Sequence, residues 1–185
     1  ALMAREGKLN GLVNNAGISG PFPSTFETET VEQWQRMLSI NVQGVFLGCK
    51  HGVPAMKQSG GGSIVNISSL AAFLGTPALS AYGASKGAVA SFTYGWAVDL
   101  KDTGVRVNCL SPMAFTPMAA HLPHLPPVEV NIPPLLFLLS KRSANLNGQI
   151  IRIVDKKLSI MAHAANRAPG LERDQWTLDT VGDAF

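Results

Sequence analysis

Gly62-Ser63-Ile64-Val65-Asn66-Ile67-Ser68-Ser69 is the stretch whose reading decides the fold. Its strand Ser63–Ile67 is almost continuously apolar and rich in β-branched residues. The glycines Gly60–Gly62 introduce it and paired serines close it. A strand without polar alternation is covered on both faces, which is the habit of parallel sheets in α/β proteins. Strands also read at Gly11–Asn14, Val105–Leu110 and Gln149–Val154. Helical stretches separate them, at Val31–Lys57, Ser80–Lys101 and, interrupted near Pro133-Pro134, Glu129–Leu139. Such alternation predicts a parallel sheet with crossover helices. Thr30 or Glu29 stands near the start of the first helix, and Gly104 follows the second in a C-cap-like position. Ser111–Pro127, rich in proline and methionine, reads as an irregular loop, and Asp174–Val181 as an N-cap with a terminal helix.

The 185 residues suit one domain or most of one, and a hydrophobic share of 46% supports a sizeable core. The net charge of +3 is only mildly basic. Basic residues are scattered, with Lys141-Arg142 and Lys156-Lys157 as the adjacent pairs, so a nucleic-acid groove is not expected. The run Pro133–Leu139 is too short to span a bilayer. Cys49 and Cys109 lie in apolar contexts and read as buried, reduced thiols, which suits the cytoplasm. His121 and His124 have no cysteine or carboxylate at ligand spacing, so no metal is expected. His51 and His163 look incidental. Trp34, Trp96 and Trp176 read as packing residues.

The chemistry centres on Ala81-Tyr82-Gly83-Ala84-Ser85-Lys86, whose Tyr82 stands thirteen residues after Ser69. Tyr82 and Lys86 stand at i and i+4, so a helix presents both on one face. A phenol titrates near pH 10, too high for easy proton transfer at neutrality. A nearby cation lowers that value. A serine hydroxyl beside it can hold a substrate oxygen meanwhile. The same spacing occurs by chance in surface and packing pairs, and the neighbours decide between the readings.

Those neighbours are Leu12-Val13-Asn14-Asn15-Ala16-Gly17, Ser39-Ile40-Asn41-Val42, and the strand ending in Ser68-Ser69. In this order and spacing, from about Gly11 to Val154, they closely resemble the short-chain dehydrogenase/reductase family. The resemblance implies a Rossmann-like, doubly wound α/β fold and an NAD(P)-dependent oxidoreductase that interconverts a secondary alcohol and a ketone. It assigns Tyr82 as general acid-base and Ser69 as the residue that orients the substrate oxygen. It gives Lys86 the tuning of Tyr82 and a bond to the nicotinamide ribose, and Asn41 a water of the proton relay. Asn15, Ala16 and Gly17 would follow the adenosine side of NAD or NADP. Pro112 and Thr116 would lie at the nicotinamide end. A small carbonyl or alcohol substrate and a homodimer or homotetramer follow from the same resemblance. Pro112-x-Ala114-x-Thr116-x-Met118 leans towards the (3R)-hydroxyacyl-CoA dehydrogenases. A ketoreductase acting on carrier-bound acyl chains differs from that only in substrate.

Two departures stand out. No glycine follows Pro112, and Asp155-Lys156-Lys157 replaces a Gly-Gly after the last strand. No Gly-x-x-x-Gly-x-Gly follows a strand anywhere in the chain. The resemblance therefore reads as an N-terminally truncated member, lacking a βαβαβ half that carries the pyrophosphate turn and the residue that reads the ribose 2′ position. Residues 1–160 would form the C-terminal part of the Rossmann domain and 161–185 an extension. A non-catalytic fragment or pseudo-enzyme is the rival reading. Without its outer partner, the Leu12-Val13 strand becomes an edge. The isolated chain is then expected to be poorly soluble and to bind NAD(P) weakly. A sharp, high-temperature unfolding transition would count against this.

Overall fold

The computed structural model describes residues 2–120, 122, 124–165 and 170–182. His121 therefore lies outside the described residues. A short helix, α1 (Leu2–Glu6), precedes the first strand, β1 (Gly11–Asn14). The helix α2 (Val31–Leu38) follows, opened by Thr30. Thr30 Oγ1 accepts from the Gln33 amide and the Gln33 side chain accepts from the Thr30 amide, a complete capping box. A π-helical turn, Ser39–Gln43, joins α2 to α3 (Gly44–Gln58). Sequence pattern reads this whole span as one helix, and the π turn is invisible to it.

The remaining elements are β2 (Gly62–Ile67), α4 (Ser80–Asp99), β3 (Val105–Ser111), α5 (Ile132–Leu139), β4 (Ile150–Val154), β5 (Lys157–Ile160) and α6 (Leu178–Gly182). The five strands form one sheet in the order β1-β2-β3-β4-β5. The first four run parallel and β5 antiparallel. Among the described residues, β1 is an edge.

Three details differ from the sequence reading. Pro133 and Pro134 do not interrupt a helix but begin one, since an amide-less residue costs nothing in the first turn. A short 3₁₀ turn, Val128–Asn131, leads into it. β5 was not anticipated: Asp155 adopts φ +49°, which aspartate tolerates, and turns the chain back after two residues. The terminal helix starts later than Asp174, with Thr177 Oγ1 accepting from the Thr180 amide.

The strand β2 is covered on both faces, as its composition requires. Ile64 joins Val105, Val107, Cys49, Met56, Ala97 and Leu100 beneath α3 and α4. Val65 joins Leu110, Leu138 and Ile151 on the α5 side. Both cysteines are free and buried. Trp96 stacks on Phe92 with centroids 4.4 Å apart, whereas Trp176 is 43% exposed beneath Arg173 rather than packed in a core.

Asn66 is the polar exception on the helix-facing side of β2. Its Oδ1 accepts from Asn14 Nδ2 at 2.8 Å, and its Nδ2 donates to Thr93 Oγ1 at 3.0 Å. Thr93 in turn donates to the Val89 carbonyl. One amide thus ties β1, β2 and α4 together. Replacing it with Ala removes both of these bonds from the interior. Asn66→Ala is expected to cost roughly 3 kcal/mol, against about 1 kcal/mol for the exposed cap variant Thr30→Ala, by urea denaturation.

Candidate active site

The carboxyl ends of β1, β2 and β3 open onto one cleft of about 680 Å³. Ligands bind at this rim in open α/β sheets. Eight of the nine sequence-derived candidates line it: Asn15, Ala16 and Gly17 after β1, Ser69 after β2, Tyr82 and Lys86 on α4, and Pro112 and Thr116 after β3. Met113, Met118 and Leu122 of the Ser111–Pro127 loop form an apolar wall. The ninth candidate, Asn41, is fully buried and does not line the cleft.

Glycine sets the approach of α4. A Cβ on Gly83 would meet the Ala71 carbonyl oxygen at 2.6 Å, so the helix start packs directly on the turn Leu70–Ala72. Ser69 caps that turn, accepting from the Ala71 amide at 3.3 Å, which holds Ser69 beside the Tyr82 end of α4. Ser68 Oγ donates to the Lys86 carbonyl at 2.9 Å and Ser85 Oγ to the Tyr82 carbonyl at 2.7 Å. Lys86 Nζ donates to the Ile67 carbonyl at 2.9 Å and lies 5.8 Å from the centre of the Tyr82 ring.

Asn41 sits in the π turn, a distortion that often marks functional sites. Its Oδ1 accepts from the Ile18 amide, and its Nδ2 donates to the Ile18 carbonyl and to Ser85 Oγ, at 2.8, 2.8 and 2.9 Å. It joins the loop after β1 to α4. A Cβ on Gly17 would stand 3.2 Å from Lys86 Nζ and 3.3 Å from Asn41 Oδ1, so only a glycine leaves these two groups uncrowded.

The electrostatics differ from the sequence expectation. Burial pushes the Tyr82 phenol above its ordinary value, and the Ser69 hydroxyl beside it pulls only partly back. Burial likewise pushes the Lys86 ammonium below its ordinary value, with Cys109 opposing. Lys86 spends a donor on a backbone carbonyl, and for the phenol the loss of water outweighs the Ser69 hydrogen bond. Tyr82 therefore keeps its phenol proton at neutral pH.

Sequence reading missed Arg152, which also lines the cleft. A lone charge inside Ile150-Ile151-Arg152-Ile153-Val154 was the available signal. His163 is not incidental. It bonds the Gly148 carbonyl at 3.1 Å and rests on the Tyr94 ring, holding the segment after β5 to the sheet. Among the described residues, no group of three or more His, Cys, Asp or Glu could hold a metal. No described helix is long and apolar enough to cross a membrane.

An open, mostly parallel sheet with helices on both faces and a crevice at its carboxyl rim defines the doubly wound α/β class. The short chain dehydrogenase family matches residues 1–124, and the chain belongs to that family. A 2-(R)-hydroxypropyl-CoM dehydrogenase of Xanthobacter autotrophicus is 44% identical over 64% of this chain and 48% of its own. An NADP-dependent (R)-specific alcohol dehydrogenase of Lentilactobacillus kefiri is 46% identical over 57% of this chain and 42% of its own. An inactive 2-(S)-hydroxypropyl-CoM dehydrogenase of Xanthobacter autotrophicus is 45% identical over 63% and 50%. The chain spans about half the length of these curated relatives. Among solved structures, a gluconate 5-dehydrogenase from Burkholderia cenocepacia in complex with NADP and tartrate superposes with a TM-score of 0.78. It is 28% identical, over 83% of this chain and 66% of that one. A 3-ketoacyl-(acyl-carrier-protein) reductase from Brucella melitensis complexed with NADH gives 0.77 at 29% identity, over 82% and 68%.

Burial also pushes the Cys49 thiol from 9.0 up to about 11 and the Cys109 thiol up to about 12. The folded chain therefore keeps thiol and phenol protons that the unfolded chain releases. The contribution of these groups to stability is full below pH 9.0 and falls progressively as pH rises towards about 12. Urea midpoints measured across that window should drop steadily, and a flat profile would contradict the burial of these groups.

Proposed function

We propose that the whole protein is an NAD(P)-dependent oxidoreductase that interconverts a secondary alcohol and a ketone on a small molecule. The observation that carries this is convergence. Ser69, Tyr82 and Lys86 share one cleft with Asn15–Gly17, Pro112 and Thr116, though they come from four separate parts of the chain. Relatives named as alcohol and hydroxypropyl-CoM dehydrogenases support the same chemistry. Family neighbours solved with NADP and with NADH support either cofactor.

Asn15, Ala16 and Gly17 would hold the adenosine side, Pro112 and Thr116 the nicotinamide end, and Lys86 and Tyr82 the ribose between. The bare backbone at Gly17 suits such an approach. NAD or NADP supplies or accepts the hydride when bound. The remaining work falls to side chains. Ser69 holds the substrate oxygen. Tyr82 gives its proton to that oxygen in reduction and recovers it through Lys86 and Asn41. The loop Ser111–Pro127, with its apolar wall, serves as the substrate lid. A cytoplasmic homodimer or homotetramer completes the reading. It is supported by apolar side chains left on helix surfaces, with Val98 74% and Phe46 42% exposed.

A non-catalytic role is the second reading. It is favoured by β1 standing at the sheet edge and by a named inactive relative. Titrating the chain with NADH and NADPH separates the two, since tight binding removes the rival. In the whole protein, Tyr82→Phe should lower turnover by about 10²–10⁴-fold and leave cofactor binding largely intact. Retained activity would sink the assignment.

A further inference from the structure

Two arginines stand on neighbouring strands, Arg106 on β3 and Arg152 on β4, and burial lowers the pKa of both. Their surroundings differ. Arg106 is spent on backbone: Nη1 donates to the Leu146 carbonyl at 3.2 Å, and Nη2 to the Leu138 and Ser140 carbonyls at 3.3 and 3.1 Å. It is a strut for the α5 side of the sheet. Arg152 makes one hydrogen bond among the described residues, from Nη1 to Ser111 Oγ at 3.1 Å. That serine is fully buried, so it anchors one edge of the guanidinium. The side chain lines the cleft that holds Ser69, Tyr82 and Lys86. The ion pairs of the described residues consist of Arg5–Glu6, so no described carboxylate neutralises Arg152. A half-buried cation with donors to spare is costly unless an anion arrives.

Register gives the span. Ser111 pairs with Arg152, and Ser68 follows the Ile67–Leu110 pair, which places Ser68, Ser111 and Arg152 in one row. Strand spacing puts the backbones of Ser68 and Arg152 roughly 10 Å apart. The arginine side chain covers much of that gap. A carbonyl at Ser69 and Tyr82 and an anion at Arg152 then lie a few bonds apart in one ligand. Lys86, the other cation of the cleft, is tied to the Ile67 carbonyl, so the charge on offer is one. A single guanidinium fork matches a carboxylate monoanion.

We propose that Arg152 is a specificity-determining residue that binds a substrate carboxylate, which makes the preferred substrate a small oxo or hydroxy acid. This rests on the oxidoreductase reading above and names its substrate class.

The test measures binding of acetoacetate and of its uncharged methyl ester to the full chain by isothermal titration. Acetoacetate should bind about ten-fold tighter than the ester, and salt should shrink the difference. Arg152→Gln should abolish the preference while ester binding stays, and Arg152→Lys should restore part of it. Ser111→Ala removes the anchor but keeps the cation, so the preference should survive. Equal binding of the two probes, no binding of acetoacetate, or a preference that persists in Arg152→Gln would each overturn the proposal. Reduction of the methyl ester by the whole protein, and its loss in Tyr82→Phe, reads the oxidoreductase function apart from charge. Tyr82-dependent reduction without a charge preference defeats the carboxylate inference alone. A charge preference without Tyr82 dependence defeats the reaction and leaves the anion site.

Discussion

The seam between β2 and α4 is the constraint on which the rest depends. The strand is buried on both sides, yet the face it turns to the helix carries Asn66 and Ser68. Neither can reach water, so each must find its partner on α4, and only one register of helix against strand supplies both. Asn66 meets Thr93 and Ser68 meets the Lys86 carbonyl. Lys86 closes the seam from the other side through the Ile67 carbonyl. Because unpaired buried polar groups are expensive, the seam is all-or-nothing. Once it forms, Tyr82 has little freedom left, and the short turn capped by Ser69 falls opposite it.

The strands, the main helices and the cluster of Ser69, Tyr82 and Lys86 were legible in the sequence because each rests on local pattern. Apolar runs mark β2 and β3, and a spacing of four places two side chains on one helix face. What escaped depends on tertiary context. The π turn at Ser39–Gln43 has no compositional mark. The hairpin into β5 needed Asp155 in a left-handed conformation, which only its neighbours enforce. Pro133-Pro134 looked like a break because position within a helix, not composition, decides what proline does. The direction of the Tyr82 shift also escaped. Spacing places a cation near the phenol but says nothing of the water that burial strips from it, or of the carbonyl that claims Lys86.

The two halves of the rim are unlike in character. Towards β1 the cleft is walled by short loop backbone at Asn15–Gly17, where small residues let a ligand lie close. Towards β4 it is walled by side chains of the Ser111–Pro127 loop, with methionines and leucines that can adjust to different shapes. A rigid, shared half and an adaptable half within one cleft fit a family whose members differ in substrate more than in fold.

The π turn has one more consequence, which concerns phase. Met37 and Met56 are both buried, as are Val45, Cys49 and Gly52 between them. The two methionines are nineteen positions apart in the chain. In a uniform α-helix that separation leaves them about 100° out of alignment, because five turns consume about eighteen residues. The π turn absorbs the surplus residue, so both ends of a long helical rod turn a methionine inwards. The rod is thus keyed like a camshaft. Exchanging a side chain at Ser39–Gln43 leaves the key in place, whereas deleting one residue there rotates one end against the other and turns either Met37 or Met56 out to water.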